Sequence, residues 1–195
     1  HRANLYRIIG DCFAKLGDSD AAKEAYIKAL DIDAYLAKAY LGLGTLGLMK
    51  GSNDIAVIHF QKAVSLAPED EMANLGLGLA FQNMQESSEA TKWVLKSLQI
   101  DPYNTAAIYC IVKLSYETEQ FDDAKQVLED YIVKHPNDHA MMYTLGGIQF
   151  RQNNLETVIT TMNTILASNP LDERAQSLLS QAKKTQEKQA TLSNG

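Results

Sequence analysis

The sequence predicts an all-α protein built from five repeated helix pairs, and three observations carry that prediction. The only four prolines, Pro68, Pro102, Pro136 and Pro170, are each 34 residues from the next. A fixed period of this length is the mark of a repeat architecture rather than of one globular core. Apolar residues recur at fixed places within the period, on one helical face at a time. No segment shows the strict apolar–polar alternation of a half-buried strand.

With each repeat numbered 1 to 34 and proline at 32, the repeats run 3–36, 37–70, 71–104, 105–138 and 139–172. Position 7 holds Ile9, Leu43, Leu77, Ile111 and Leu145, and position 8 holds Gly10, Gly44, Gly78, Val112 and Gly146. Position 20 holds Ala22, Ala56, Ala90, Ala124 and Val158, and position 24 holds Tyr26, Phe60, Val94, Leu128 and Met162. Each repeat therefore reads as two antiparallel helices joined by a short turn, which Gly17-Asp18 and Gly51-Ser52 mark in the first two. Small residues at 8 and 20 are expected where the two helices cross closely. Proline at 32 ends the second helix, because it disfavours α geometry in the residue before it, and the next helix follows. The first repeat has Ala34 in that place. After the repeats, Ala175, Leu178, Leu179 and Ala182 share one face, so 173–190 reads as a capping helix and 191–195 as a frayed tail.

Composition narrows the function classes. Hydrophobic residues make up 46%, and 18 Lys+Arg against 24 Asp+Glu leave a net charge of −6, without the basic face that nucleic-acid binding uses. No apolar run reaches the roughly 18 residues that span a bilayer, so membrane insertion is not expected. Cys12 and Cys110 form no metal-spacing pattern and read as reduced, helix-buried thiols of an intracellular, cytoplasmic protein.

These features resemble the tetratricopeptide repeat (TPR) family. Tyr40, Leu43-Gly44, Ala56, Phe60, Ala63 and Pro68 in the second repeat, and Leu77-Gly78, Phe81, Ala90 and Pro102 in the third, follow its pattern. Val112, Tyr131, Val158 and Ile165 depart from it at positions that are usually small. The resemblance implies an α-solenoid in which 1–172 form one superhelical domain, and a non-catalytic scaffold that binds another protein. It also implies that the first helices line a concave groove. There the groove-facing positions include Leu41, Thr45 and Met49, then Met72, Leu75 and Leu79, then Tyr109, Lys113 and Tyr116, and last Tyr143, Phe150 and Arg151. That composition suits a partner helix or an extended apolar peptide, with aromatic anchors supplying much of the affinity. Some members grip a terminal carboxylate with a Lys/Asn clamp. Arg7, Asp11 and Gly42 stand there instead, and Asp11 would repel that carboxylate.

Leu5, Ile8 and Cys12 form an apolar stripe on the first helix, at positions that in later repeats pack on the repeat before. Two alternatives to a free-standing binding module follow. One is a piece of a longer protein, the regulatory or targeting segment of an enzyme or signalling protein. The other is self-association through this N-terminal face.

Chemistry finds little support. Gly42, Gly44 and Gly47 match a dinucleotide-binding GxGxxG, but that pattern needs a preceding strand, and here the glycines read as packing residues, with Gly42 and Gly76 widening the groove. His135 and His139 are separated by Pro136 and cannot share a helical face as a zinc pair, and His59 reads as a surface or boundary side chain. Glu69-Asp70-Glu71 and Asp122-Asp123 stand at helix starts, where acidic side chains meet the helix dipole. No catalytic residues, metal site or cofactor are expected.

Overall fold

The computed structural model describes residues 1–193, which form eleven α-helices and no strand. They are α1 (Arg2–Lys15), α2 (Ser19–Ile32), α3 (Ala37–Met49), α4 (Asn53–Leu66), α5 (Glu71–Asn83), α6 (Ser87–Ile100), α7 (Thr105–Thr118), α8 (Asp122–Lys134), α9 (His139–Arg151), α10 (Leu155–Ser168) and α11 (Glu173–Ser193). The all-α repeat architecture is that read from the sequence. The chain forms two compact units, His1–Thr118 and Glu119–Gly195, dividing at the turn inside the fourth repeat.

Every turn inside a repeat uses the same backbone device. The residue at position 15 takes a left-handed conformation whether or not it is glycine: φ is 81° at Gly17, 71° at Gly51, 63° at Gln85, 56° at Glu119 and 61° at Asn153. Glycine adopts this region freely, whereas other L-residues are strained there. The junctions between repeats are equally uniform. The residue after α6, Asp101, has φ −126° and ψ 95°, and Asp33 after α2 has φ −141° and ψ 95° without a proline following it. Next, at every junction but the first, where Leu36 offers no side-chain cap, a side chain at position 34 caps the helix that follows. Asp70 accepts from the Ala73 amide (3.0 Å), Asn104 from Ala107 (3.1 Å), Asp138 from Met141 (3.1 Å) and Asp172 from Ala175 (3.0 Å). Such caps satisfy amides that the helix itself leaves unpaired. Buried Asn74 adds a tie, its Nδ2 donating to the Pro68 carbonyl at 2.9 Å.

Glycines and rings interlock in the first unit. The Tyr26 ring lies between Gly10 and Gly42, where an added Cβ would stand 2.6 and 2.4 Å from ring atoms. Phe60 lies between Gly44 and Gly76 in the same way, at 2.7 and 2.4 Å. Gly42 and Gly76 each make room for the ring of the preceding repeat, and Gly42 also lines the groove on α1, α3 and α5. Likewise Gly44 at position 8 receives the Phe60 ring, and the close helix crossing of repeat two falls at Gly47, 3.1 Å from Ala56 by the same measure. All three glycines of the GxGxxG match thus sit inside α3 as packing residues.

In the second unit the core is aliphatic and thioether. Val158, Met162, Ile165 and Leu178 form its centre, with Tyr143 and Phe150 packed against it. Ala175 and Ala182 of α11 are fully buried there. This last helix continues through Thr191, Leu192 and Ser193 instead of fraying. The Thr191 hydroxyl donates to the Lys188 carbonyl, and Gln189 Nε2 donates to Asn153 Oδ1 at 2.8 Å, which holds the last turns. Residues 194–195 of the expected tail lie outside the described residues.

Candidate functional site

In the first unit α1 packs on α3, α3 on α5 and α5 on α7, so that the first helices of successive repeats lie side by side. A groove of about 600 Å³ opens on α1, α3 and α5. Leu41 and Met72 are its accessible apolar lining, with Thr45 beside them, and Leu46 also borders it but is 5% exposed. Of the expected groove residues, Leu41, Thr45 and Met72 come together here.

Its N-terminal wall is an ordered polar cluster. Arg7 and Asp11 form an i,i+4 ion pair, and the Tyr26 hydroxyl donates to the other Asp11 oxygen at 2.8 Å. Burial, followed by that hydrogen bond, pushes the Tyr26 phenol up, so it remains a donor at physiological pH. The Asp11 carboxylate is thus held by two groups and faces the groove as an acceptor. Lys15 and Lys38 line the same space, and Glu69, Asp70 and Glu71 form the opposing rim. Two of those rim carboxylates are already committed: Asp70 caps α5, and Glu71 accepts from Asn104 Nδ2 at 2.9 Å. The groove therefore carries both signs of charge around its apolar lining.

Several expected residues fall elsewhere. Leu75 is 3% exposed and cannot meet a partner, because its position on α5 turns into the packing between neighbouring helices. Leu79 is half-buried, and Met49, at the end of α3, is exposed but does not line the groove. On α7, Tyr109, Lys113 and Tyr116 form an exposed stripe, with Tyr109 52% and Tyr116 42% accessible and Lys113 Nζ 3.6 Å from Glu117. In the second unit Tyr143 and Phe150 are half-buried against the core, and the Arg174 guanidinium sits 5.3 Å from the centre of the Tyr143 ring. Both rings are partly packed and partly accessible. Arg151 is exposed and pairs with Glu119 at 3.4 Å.

The sequence reading missed Tyr26 and the Glu69-Asp70-Glu71 rim as groove residues. Tyr26 stands at position 24 with the apolar repeat residues, yet among them it alone carries a hydroxyl, and that was the available signal. The N-terminal stripe is open: Leu5 is 57% and Ile8 48% exposed, whereas Ala39 and Ala73, equivalent to Leu5, and Leu46 and Ala80, equivalent to Cys12, are buried. Cys12 is also exposed rather than helix-buried, because nothing among the described residues covers that face of α1. Cys110 is buried, and desolvation pushes its thiol up to about 11. His135 stacks on Tyr131 with ring centres 4.2 Å apart, and His139 Nε2 meets the Ser168 hydroxyl at 3.0 Å. Among the described residues no three His, Cys, Asp or Glu side chains converge as a metal site, and no helix is long and apolar enough to cross a membrane.

Comparison with known proteins places this geometry. Profiles of the tetratricopeptide repeat match residues 3–35 and 115–182, together just over half of the chain. RNA polymerase-associated protein CTR9 of Caenorhabditis elegans is 28% identical over 172 residues, which is 84% of this chain but 15% of that protein. The chain thus spans well under a quarter of the length of such curated relatives, anaphase-promoting complex subunit 3 of Schizosaccharomyces pombe being covered to 21%. Among solved structures, MamA superposes with a TM-score of 0.71 at 22% identity, covering 85% of this chain and 91% of that one. YrrB, a TPR protein with an unusual peptide-binding site, superposes at 0.69 with 19% identity, covering 88% and 89%. At those identities the two structures speak for the fold. Repeat period, helix pairs, interlocking rings and profile matches agree: the chain belongs to the tetratricopeptide repeat family.

Proposed function

We propose that this chain is a non-catalytic protein-interaction module that takes a partner's extended or helical apolar segment on the face of α1, α3 and α5. Proteins of this family act as protein-interaction modules. The observation that carries the finer reading is the groove of about 600 Å³, in which apolar Leu41 and Met72 are lined by side chains of both charges. An apolar segment buries its side chains against those two, and flanking polar groups meet Lys15, Lys38 and Glu69. Met72, unbranched and polarizable, adapts to imperfect fits. The Tyr109–Tyr116 stripe on α7 offers further aromatic anchors.

The test is a random-peptide display selection against the whole chain. Selected peptides should be apolar with charged flanks, and Met72→Glu should abolish their binding while Ile58→Glu on α4 leaves it unchanged. Peptides indifferent to Met72→Glu overturn the assignment.

A second reading, self-association, is supported by the open Leu5, Ile8 and Cys12 face. Light scattering over a concentration series should then show a mass increase that Ile8→Glu removes.

A further inference from the structure

A second cavity, of about 160 Å³, lies among α2, the end of α3 and the start of α4. Its lining is unlike the rest of this acidic chain. Lys23, Lys50 and His59 face it, the hydroxyls of Ser19 and Ser52 stand beside them, Leu43 and Ile55 contribute apolar wall, and no carboxylate lines it. By contrast, Asp11, Glu69, Asp70 and Glu71 all line the larger groove.

From this convergence we infer a binding site for a phosphoryl group, taken as a phosphomonoester with an apolar body. The donors are available. Lys23 makes no ion pair among the described residues, and neither serine hydroxyl has a side-chain hydrogen bond there, although Ser52 stands at the N-cap of α4. Lys50 Nζ is 2.7 Å from Asp20, but that carboxylate is 90% exposed and solvent-screened. An ammonium has three donors, so two remain for a ligand. Burial, reinforced by Lys23, keeps the His59 imidazole below its ordinary basicity, so it enters as a neutral ring with one N–H to give. Five donor groups around one small space suit an anion of about −1.5 to −2 charge with three strong acceptor oxygens. The volume equals roughly five waters, enough for that group and the first atoms of its ester but not for a nucleotide. The Leu43 and Ile55 wall favours an ester with an apolar body over the free ion.

The experiment is an amide NMR titration of the whole chain with phenyl phosphate, run beside inorganic phosphate and sodium chloride at matched ionic strength. Saturable shifts are expected at Ser19, Lys23, Lys50, Ser52 and His59, with phenyl phosphate binding more tightly than inorganic phosphate. Lys23→Gln and Lys50→Gln should each weaken binding about tenfold, the loss expected for one charge-assisted hydrogen bond. Both lysines are exposed, and unchanged helicity and melting would confirm that the variants fold. Equal affinity for the two phosphates keeps the phosphoryl site and assigns its source to free phosphate. Shifts that chloride reproduces, or that persist in the double lysine variant, overturn the proposal.

Discussion

Repeats two and five solve the same packing problem with different materials. In repeat two, Gly44 on α3 faces the flat, rigid ring of Phe60 on α4, which meets Gly76 of the next repeat on its other side. In repeat five, Gly146 on α9 faces Met162 on α10, and an added Cβ would meet first the terminal Cε at 2.4 Å, with the sulfur at 3.7 Å. Leu178 of α11 packs in the same cluster, its Cδ2 3.5 Å from the Cβ added at Gly146. A ring fixes the thickness of the joint and demands glycine on both sides. A flexible thioether lets the joint fill with whatever volume is at hand.

The largest expected effect removes the ring. Phe60→Ala should cost about 3–5 kcal/mol in urea unfolding, because a fully buried aromatic leaves a cavity that its neighbours fill only partly. A loss under 1 kcal/mol would show that the ring does not set the joint. A paired substitution sharpens the contrast. Gly44→Ala should destabilise by about 1–3 kcal/mol from overpacking, offset in part by helix propensity. Gly146→Ala should be neutral or stabilising by up to about 1 kcal/mol, since the Met162 methyl can swing away and Ala favours a helix. Equal responses would break the comparison.

The turns and junctions differ more quietly. Gln85→Gly relieves a left-handed non-glycine residue and should raise stability by about 1 kcal/mol, while the already glycine-bearing turn at Gly17 loses stability on conversion to Ala. Ala34→Pro should add about 0.4–1 kcal/mol, since the preceding Asp33 already has the extended geometry that proline requires. Thermal melts measure both. The two thiols should separate as well. Cys12 should react with a thiol reagent in the native state, whereas Cys110, buried and with its thiol pushed up to about 11, should react only on unfolding.

Particular residues show where sequence reading succeeded and where it stopped. Helix pairs, turns and junctions were legible because the signals for them are local: a proline, a capping Asp or Asn, an apolar face repeating every turn. Even so, the function of the signal was sometimes misread. Proline is dispensable at the junction, as Asp33 and Ala34 show, and the glycines at Gly42 and Gly44 each receive a ring as well, Tyr26 and Phe60. The candidate site was less legible. Leu41, Thr45 and Met72 meet in the groove, but Leu75 on the same nominal stripe is buried, and Tyr143 and Phe150 are half-buried against the core of their own unit. A position number gives a direction on an isolated helix, and the neighbour on either side decides whether that direction is open.

By itself, then, the sequence determined the number of helices, their pairing and the spacing of their joints, because each depends on a pattern shorter than one repeat. Tertiary structure alone decided which side chains share a cavity. Arg7, Tyr26 and Glu69 line one groove from α1, α2 and the turn before α5, and Lys23, Lys50 and His59 line another from α2, the end of α3 and α4. Those meetings depend on the angle and distance at which helices cross. Neither is carried by any one segment of the chain.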